Sequence, residues 1–77
     1  MEANYPIEDR LEFLISVTSE FAKKYAISVR QAFNYIRRFN GVKFLQEFYG
    51  IEHTQSYNDI VDDVKNICIK NGGLIGK

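Results

Sequence analysis

The chain has no tryptophan, one proline, one cysteine and a formal net charge of zero. Each scarcity excludes something. A single cysteine admits no internal disulfide and suits a reducing compartment. Zero net charge argues against wholesale binding to nucleic acid or membrane, which needs an excess of basic groups. No aliphatic or aromatic run exceeds that of Phe13-Leu14-Ile15, far short of the roughly 20 apolar residues that cross a bilayer. The opening MEANYPIEDR is acidic and lacks an apolar stretch, so no signal peptide is expected and the expected location is cytoplasmic.

Glycines stand only at expected helix ends and in the tail, so no phosphate-cradling loop exists. One His and one Cys cannot fill a closed tetrahedral metal site. Cys68 falls in an apolar stripe, where an inert buried thiol is the usual outcome. His53 lies in a connector, and a Cys–His nucleophilic pair is not expected. Asp62 and Asp63 occupy adjacent positions on a wet helix surface rather than a cleft. Neither an enzyme nor a cofactor site is expected.

What the chain does have is apolar mass: 45% hydrophobic residues within 77, including six Phe and five Tyr. That supports one small domain over residues 1–77, near the lower size limit for independent folding. Its charge is also unevenly spread. Residues 1–22 carry five acids and one Arg, residues 23–43 carry six basic groups and no acid, and residues 44–77 carry five acids and three Lys.

The periodicity predicts four helices, one of them short, and no strand. Pro6 suits a first helical turn. From there Ile7, Leu11, Leu14, Ile15, Thr18, Phe21, Ala22 and Tyr25 form an apolar stripe, with Phe13 and Val17 off it. The first helix therefore has two apolar faces, and a two-fold dimer through it would cover Phe13 and Val17. Ser28 and Gln31 form a capping box for a second helix reaching about Phe39, with Val29, Ala32, Phe33 and Ile36 inward. Asn40-Gly41 is a stop signal, and Val42–Tyr49 a short third helix. Ser56 caps a fourth helix whose stripe is Tyr57, Ile60, Val61, Val64, Ile67 and Cys68. It ends at Asn71-Gly72-Gly73. Residues 1–5 and 72–77 are expected to be loose ends.

The first two helices read as a helix-turn-helix-like corner. Ala22 is the small residue, Ile27 the plug, and Arg30, Gln31 and Asn34 face outward as potential readers of base edges. Lys23, Lys24 and Arg37 would take phosphates. Ala26 stands where a left-handed Gly is usual, and that departure, with the zero net charge, tilts the corner away from DNA. The other reading is a corner in a helical bundle that meets protein. Aromatics are in surplus for so small a core, and exposed rings beside Arg belong to interfaces. Tyr35, Arg38, Phe39 and Phe13 are the expected partner contacts.

Over YAISVRQAFNYIRRFNGVKFLQEFYGIEHTQSYNDIVDDVKNICIKNGG the chain resembles a family of short bacterial proteins called domain of unknown function 3791. The likeness runs from about Leu11 to Gly73. Its most specific parts are EHTQS at 52–56, NDIVDDV at 58–64 and the closing KNGG. The resemblance implies a small helical cytoplasmic protein with no defined catalytic residues. It also implies a neighbour, since members are often encoded beside ADP-ribosyltransferase-like toxins. An antitoxin-like or accessory subunit that binds and masks such a toxin is the function this implies. His53, Thr54 and Ser56 match the most recognisable motif, and their expected role is to fix the turn into the last helix.

Overall fold

The computed structural model describes residues 7–73, with side chains from Asp9 onward. The loose ends expected at 1–5 and 74–77 lie outside those residues. Five helices follow in order: α1 Ile7–Tyr25, α2 Val29–Arg38, α3 Gly41–Glu47, α4 Tyr49–Glu52 and α5 Tyr57–Lys70. There is no strand among the described residues. The chain is an all-α bundle with a tight corner between its first two helices, as its periodicity predicts. One element differs. The short third helix divides at Phe48, whose backbone (φ −112°, ψ 24°) leaves the helical region, and α4 adds a further turn.

Local chemistry sets most of these boundaries. Ser28 Oγ accepts the Gln31 N–H, and the Gln31 side-chain oxygen accepts the Ser28 N–H, each at 3.0 Å. This reciprocal pairing satisfies two of the donors that a helix start leaves open. At α5, Ser56 Oγ accepts the Asp59 N–H at 3.2 Å. The α1–α2 corner turns at Ala26, which adopts the left-handed conformation (φ 55°). Ile27 N–H then reaches back to Ala22 O at 3.0 Å, and Ala26 N–H to Lys23 O at 3.4 Å. These are the two bonds of a Schellman ending. The same pair of bonds closes α5, from Gly73 to Cys68 O and from Gly72 to Ile69 O. There Gly72 takes the left-handed position (φ 94°).

The core runs through all five helices: Phe13, Val17, Phe21 and Ala22 of α1, Ala32 and Ile36 of α2, Leu45, Tyr49, and Ile60, Val61, Val64 and Cys68 of α5. Burying a side chain of this size contributes about 1.5–3 kcal/mol, so these positions dominate stability. Gly41 sits where α2, α3 and α5 converge. A Cβ there would lie 2.6 Å from Ile36 Cγ2 and 3.2 Å from Cys68 Sγ, so only glycine fits without displacement.

Two helices are rotated from their predicted settings. On α1, Phe13 and Val17 are core while Leu11 and Ile15 are exposed, at 54% and 62%. The chain's own helices already cover Phe13 and Val17, so a dimer through them would have little further apolar surface to bury. On α2, Ala32 and Ile36 are inside as expected, but Val29 and Phe33 face outward. Tyr35 and Phe39 take the inner flank and pack on the core. The tail expected to be loose from residue 72 begins with two fixed residues. Gly73 is buried, and its carbonyl accepts the Tyr35 hydroxyl.

Candidate interaction surface

The outer face of α2 follows from its inner one. With Ala32 and Ile36 pointing to the core, the opposite side carries Arg30, Asn34 and Arg37, flanked by Val29 and Phe33 on one edge and Arg38 on the other. All six are exposed, Phe33 at 36%. No acid occurs between residues 23 and 43. None of the three arginines makes an ion pair with a described residue. The Arg38 guanidinium lies 5.4 Å from the Phe39 ring centroid, within cation–π range.

The lysines before the corner are engaged instead. Lys23 Nζ lies 3.4 Å from Glu20 Oε2. Lys24 Nζ reaches across to α5, at 2.8 Å from Asp62 Oδ1 and 3.2 Å from Asn58 Oδ1. The hydrogen bond from Lys24 holds the Asp62 carboxyl below its ordinary pKa, and the same bond raises that of Lys24. Gln31 is committed to the capping box. Of the residues expected to meet nucleic acid, Arg30, Asn34 and Arg37 thus share one open face, while Lys23, Lys24 and Gln31 have intramolecular partners.

The expected partner contacts separate as well. Phe13 is a core residue, with its ring edge-on to Tyr49 at 5.1 Å, and only a sliver of it reaches the surface. Tyr35 lies between Phe21 and Phe39, with ring centroids at 5.7 and 5.2 Å. Burial, first, and the nearby Cys68 and Tyr25 push its pKa up to about 12. Phe39 is half-buried and packs where a Cβ at Gly73 would sit. Only Arg38 of that set is open to solvent. The reason is the rotation of α2, which turns its aromatic flank inward and Phe33 outward.

The EHTQS connector is a folding element. His53 stacks on Tyr49 at 4.5 Å with nearly parallel rings. Its Nδ1 lies 2.7 Å from the Tyr49 carbonyl, which can only accept, so Nδ1 carries a proton. Thr54 Oγ1 donates to Ile51 O at 2.8 Å, and Ser56 caps α5. All three bonds are local, and together they set the turn from α4 into α5.

Cys68 is wholly buried. Burial pushes its thiol up to about 11, against a smaller opposing effect from the Gly41 backbone N–H. The protonated sulfur is a poor nucleophile. No group of three His, Cys, Asp or Glu able to hold a metal occurs among the described residues, and no helix among them is long and apolar enough to cross a membrane.

Glu52 escaped the sequence reading. It is 5% exposed, and desolvation, a hydrogen bond with Asp63 and the Asp63 charge raise its pKa to about 7. It opens the EHTQS motif, but nothing in the local pattern signals its burial, since a Glu in a polar connector reads as solvated. Leu11, Ile15, Val29 and Phe33 were misplaced for a different reason: each completes a valid helical stripe.

No curated protein and no solved structure matches this chain. A family model does, over residues 12–71, and its span takes in the α2 face and the EHTQS connector together. The chain belongs to the family described as "Protein of unknown function (DUF3791)".

Proposed function

We propose that this chain is a non-enzymatic protein-interaction module whose contact surface is the outer face of α2. One observation carries the reading: arginines with no ion-pair partner among the described residues share a helix face with exposed Val29 and Phe33. Arginine and aromatic side chains supply most hot spots at protein interfaces, where guanidinium forks meet carboxylates and rings fill pockets. The partner implied by the family resemblance is an ADP-ribosyltransferase-like toxin, which this chain would bind and mask as an antitoxin-like or accessory subunit. A cytoplasmic site of action accords with the lone free thiol of Cys68.

The test is a titration of the candidate toxin against the chain and its Arg30→Ala/Phe33→Ala/Arg37→Ala variant. All three side chains are exposed, so the variant keeps its helical circular dichroism. Loss of even one hot-spot contact lowers affinity by more than about tenfold, such a contact being worth roughly 2 kcal/mol. Unchanged affinity would remove this face from consideration.

A second reading, operator binding through the same face, is favoured by the alignment of Arg30, Asn34 and Arg37 along one exposed ridge. It predicts a steep fall in DNA affinity with salt, as phosphate contacts release counterions. The pairing of Lys23 and Lys24 with Glu20 and Asp62 and the exposed apolar Val29 and Phe33 favour a protein partner.

A further inference from the structure

α1, α4 with the residue after it, and the start of α5 line a shallow hollow of about 530 Å³. Its lining includes Asp9, Glu12, Ile15, Tyr49, His53 and Tyr57. Ile15 and Tyr57 are exposed large apolar residues, and the mostly buried Phe13 and Tyr49 form an aromatic floor. The hollow thus combines apolar and ring surface with two carboxylates, Asp9 and Glu12, and with Ser16 and His53. The ion pairs among the described residues engage neither Asp9 nor Glu12. Arg10 lines a neighbouring hollow that shares Phe13 and Tyr49 with this one. Lys23 and Lys24 line another that shares Tyr57, and both are paired with acids, Glu20 and Asp62.

The α2 face has the opposite construction. Phe33 projects between Arg30, three residues before it, and Arg37, four after it, and Val29 extends the apolar edge by one turn. A ring flanked by two guanidinium groups meets a hollow that offers Ile15, Tyr57 and two carboxylates. We infer that the occupant of each is a second copy of this chain, with the Phe33 knob of one molecule seated in the Asp9–Glu12–Tyr57 hollow of another. The contact joins unlike faces. Made reciprocally it closes a two-fold dimer, and made once per molecule it gives an open chain. It covers apolar surface on both sides and pairs charges of opposite sign at its rim. A single helix face on a hollow is small for a stable interface, so the association is weak and salt-sensitive. It occupies the α2 face assigned above to a partner, so self-association and partner binding compete.

Sedimentation of the full chain over a wide concentration range, at low and at high salt, is the first measurement. Reversible association at low salt that recedes at high salt is the expected result. A monomer throughout the range overturns the inference. Two charge-reversed chains then identify the surfaces. Arg30→Glu/Arg37→Glu places acid against acid, and Asp9→Arg/Glu12→Arg places base against base, so each alone associates at least tenfold more weakly. Mixing the two chains restores opposite signs at both contacts and recovers association. Association that survives in either variant alone, or fails to return on mixing, overturns the pairing of these faces. The Asp9→Arg/Glu12→Arg chain keeps its α2 face and still binds the partner proposed above, so failure of self-association leaves that proposal to its own test.

Discussion

Glu52 carries a carboxyl in a place that disfavours its charge. Its Oε1 is buried without a hydrogen-bond partner, and Gln55 Nε2 stands a long 3.5 Å from Oε2. The neighbouring charged group that acts on it is another acid, Asp63. Protonated, Glu52 can donate to Asp63. Ionised, it faces a like charge with little water to screen it. Burial and that neighbour therefore hold its pKa at about 7 in the fold, against 4.5 as its ordinary value. Between those values the folded chain keeps a proton that the unfolded chain has released, so stability falls as pH rises through that window. Below the window both states are protonated and the stabilisation is fully present; above about pH 7 it is gone. Glu52→Gln keeps the shape and removes the charge. Urea denaturation at pH 8 is expected to show the variant more stable than the parent, by up to about 3 kcal/mol. The difference shrinks toward zero as pH falls to 5 or below. An equal difference at both pH values would mean that packing, not protonation, sets the effect. The EHTQS motif contains this residue, but its burial is not legible in the sequence, because it depends on α4, a single turn that no stripe predicts.

At the scale of elements, the ends of helices were legible and their rotations were not. Ser28, Gln31 and Ser56 act within three or four residues of themselves, and such caps form wherever the right side chains stand at the right spacing. The rotation of α1 and α2 depends on distant packing. Val29, Ala32, Phe33 and Ile36 make as good a stripe as Ala32, Tyr35, Ile36 and Phe39. The choice falls to the second because Phe21 and Gly73 lie on that side to receive the aromatic pair. One helix end breaks a local rule. Ala26 holds a left-handed backbone (φ 55°), which costs an L-residue about 1–2 kcal/mol relative to its usual region. Ala26→Gly removes that strain but loosens the unfolded chain, which returns part of the gain. The expected net effect is stabilisation by about 0.5–1 kcal/mol, read as a higher urea midpoint at unchanged slope. A lower midpoint would mean that the alanine methyl packs usefully at the corner.

For the whole molecule, the informative contacts are those that join the end of α5 to the middle of the chain. Asn40, left-handed at φ 69°, donates from Nδ2 to Asn71 Oδ1 at 2.9 Å, while Asn71 Nδ2 donates to Ile67 O at 2.8 Å. Two residues later in the same clasp, the Tyr35 hydroxyl donates to Gly73 O. The Asn-Gly and Gly-Gly pairs are both readable as helix stops, yet their meeting is not, since it joins positions more than 30 residues apart. The clasp makes Gly72 and Gly73 part of the fold, and a double-mutant cycle measures how much. Tyr35→Phe removes only the hydroxyl and is expected to cost about 1 kcal/mol, the usual net worth of a hydrogen bond. Truncation after Asn71 removes the acceptor together with the Schellman bonds of α5, and costs more. If Gly73 O is the hydroxyl's partner, the two changes are not additive: in the truncated chain Tyr35→Phe costs almost nothing. Full additivity in urea denaturation would instead show that the hydroxyl's contribution does not depend on Gly73, and leave the end of α5 energetically separate from α2.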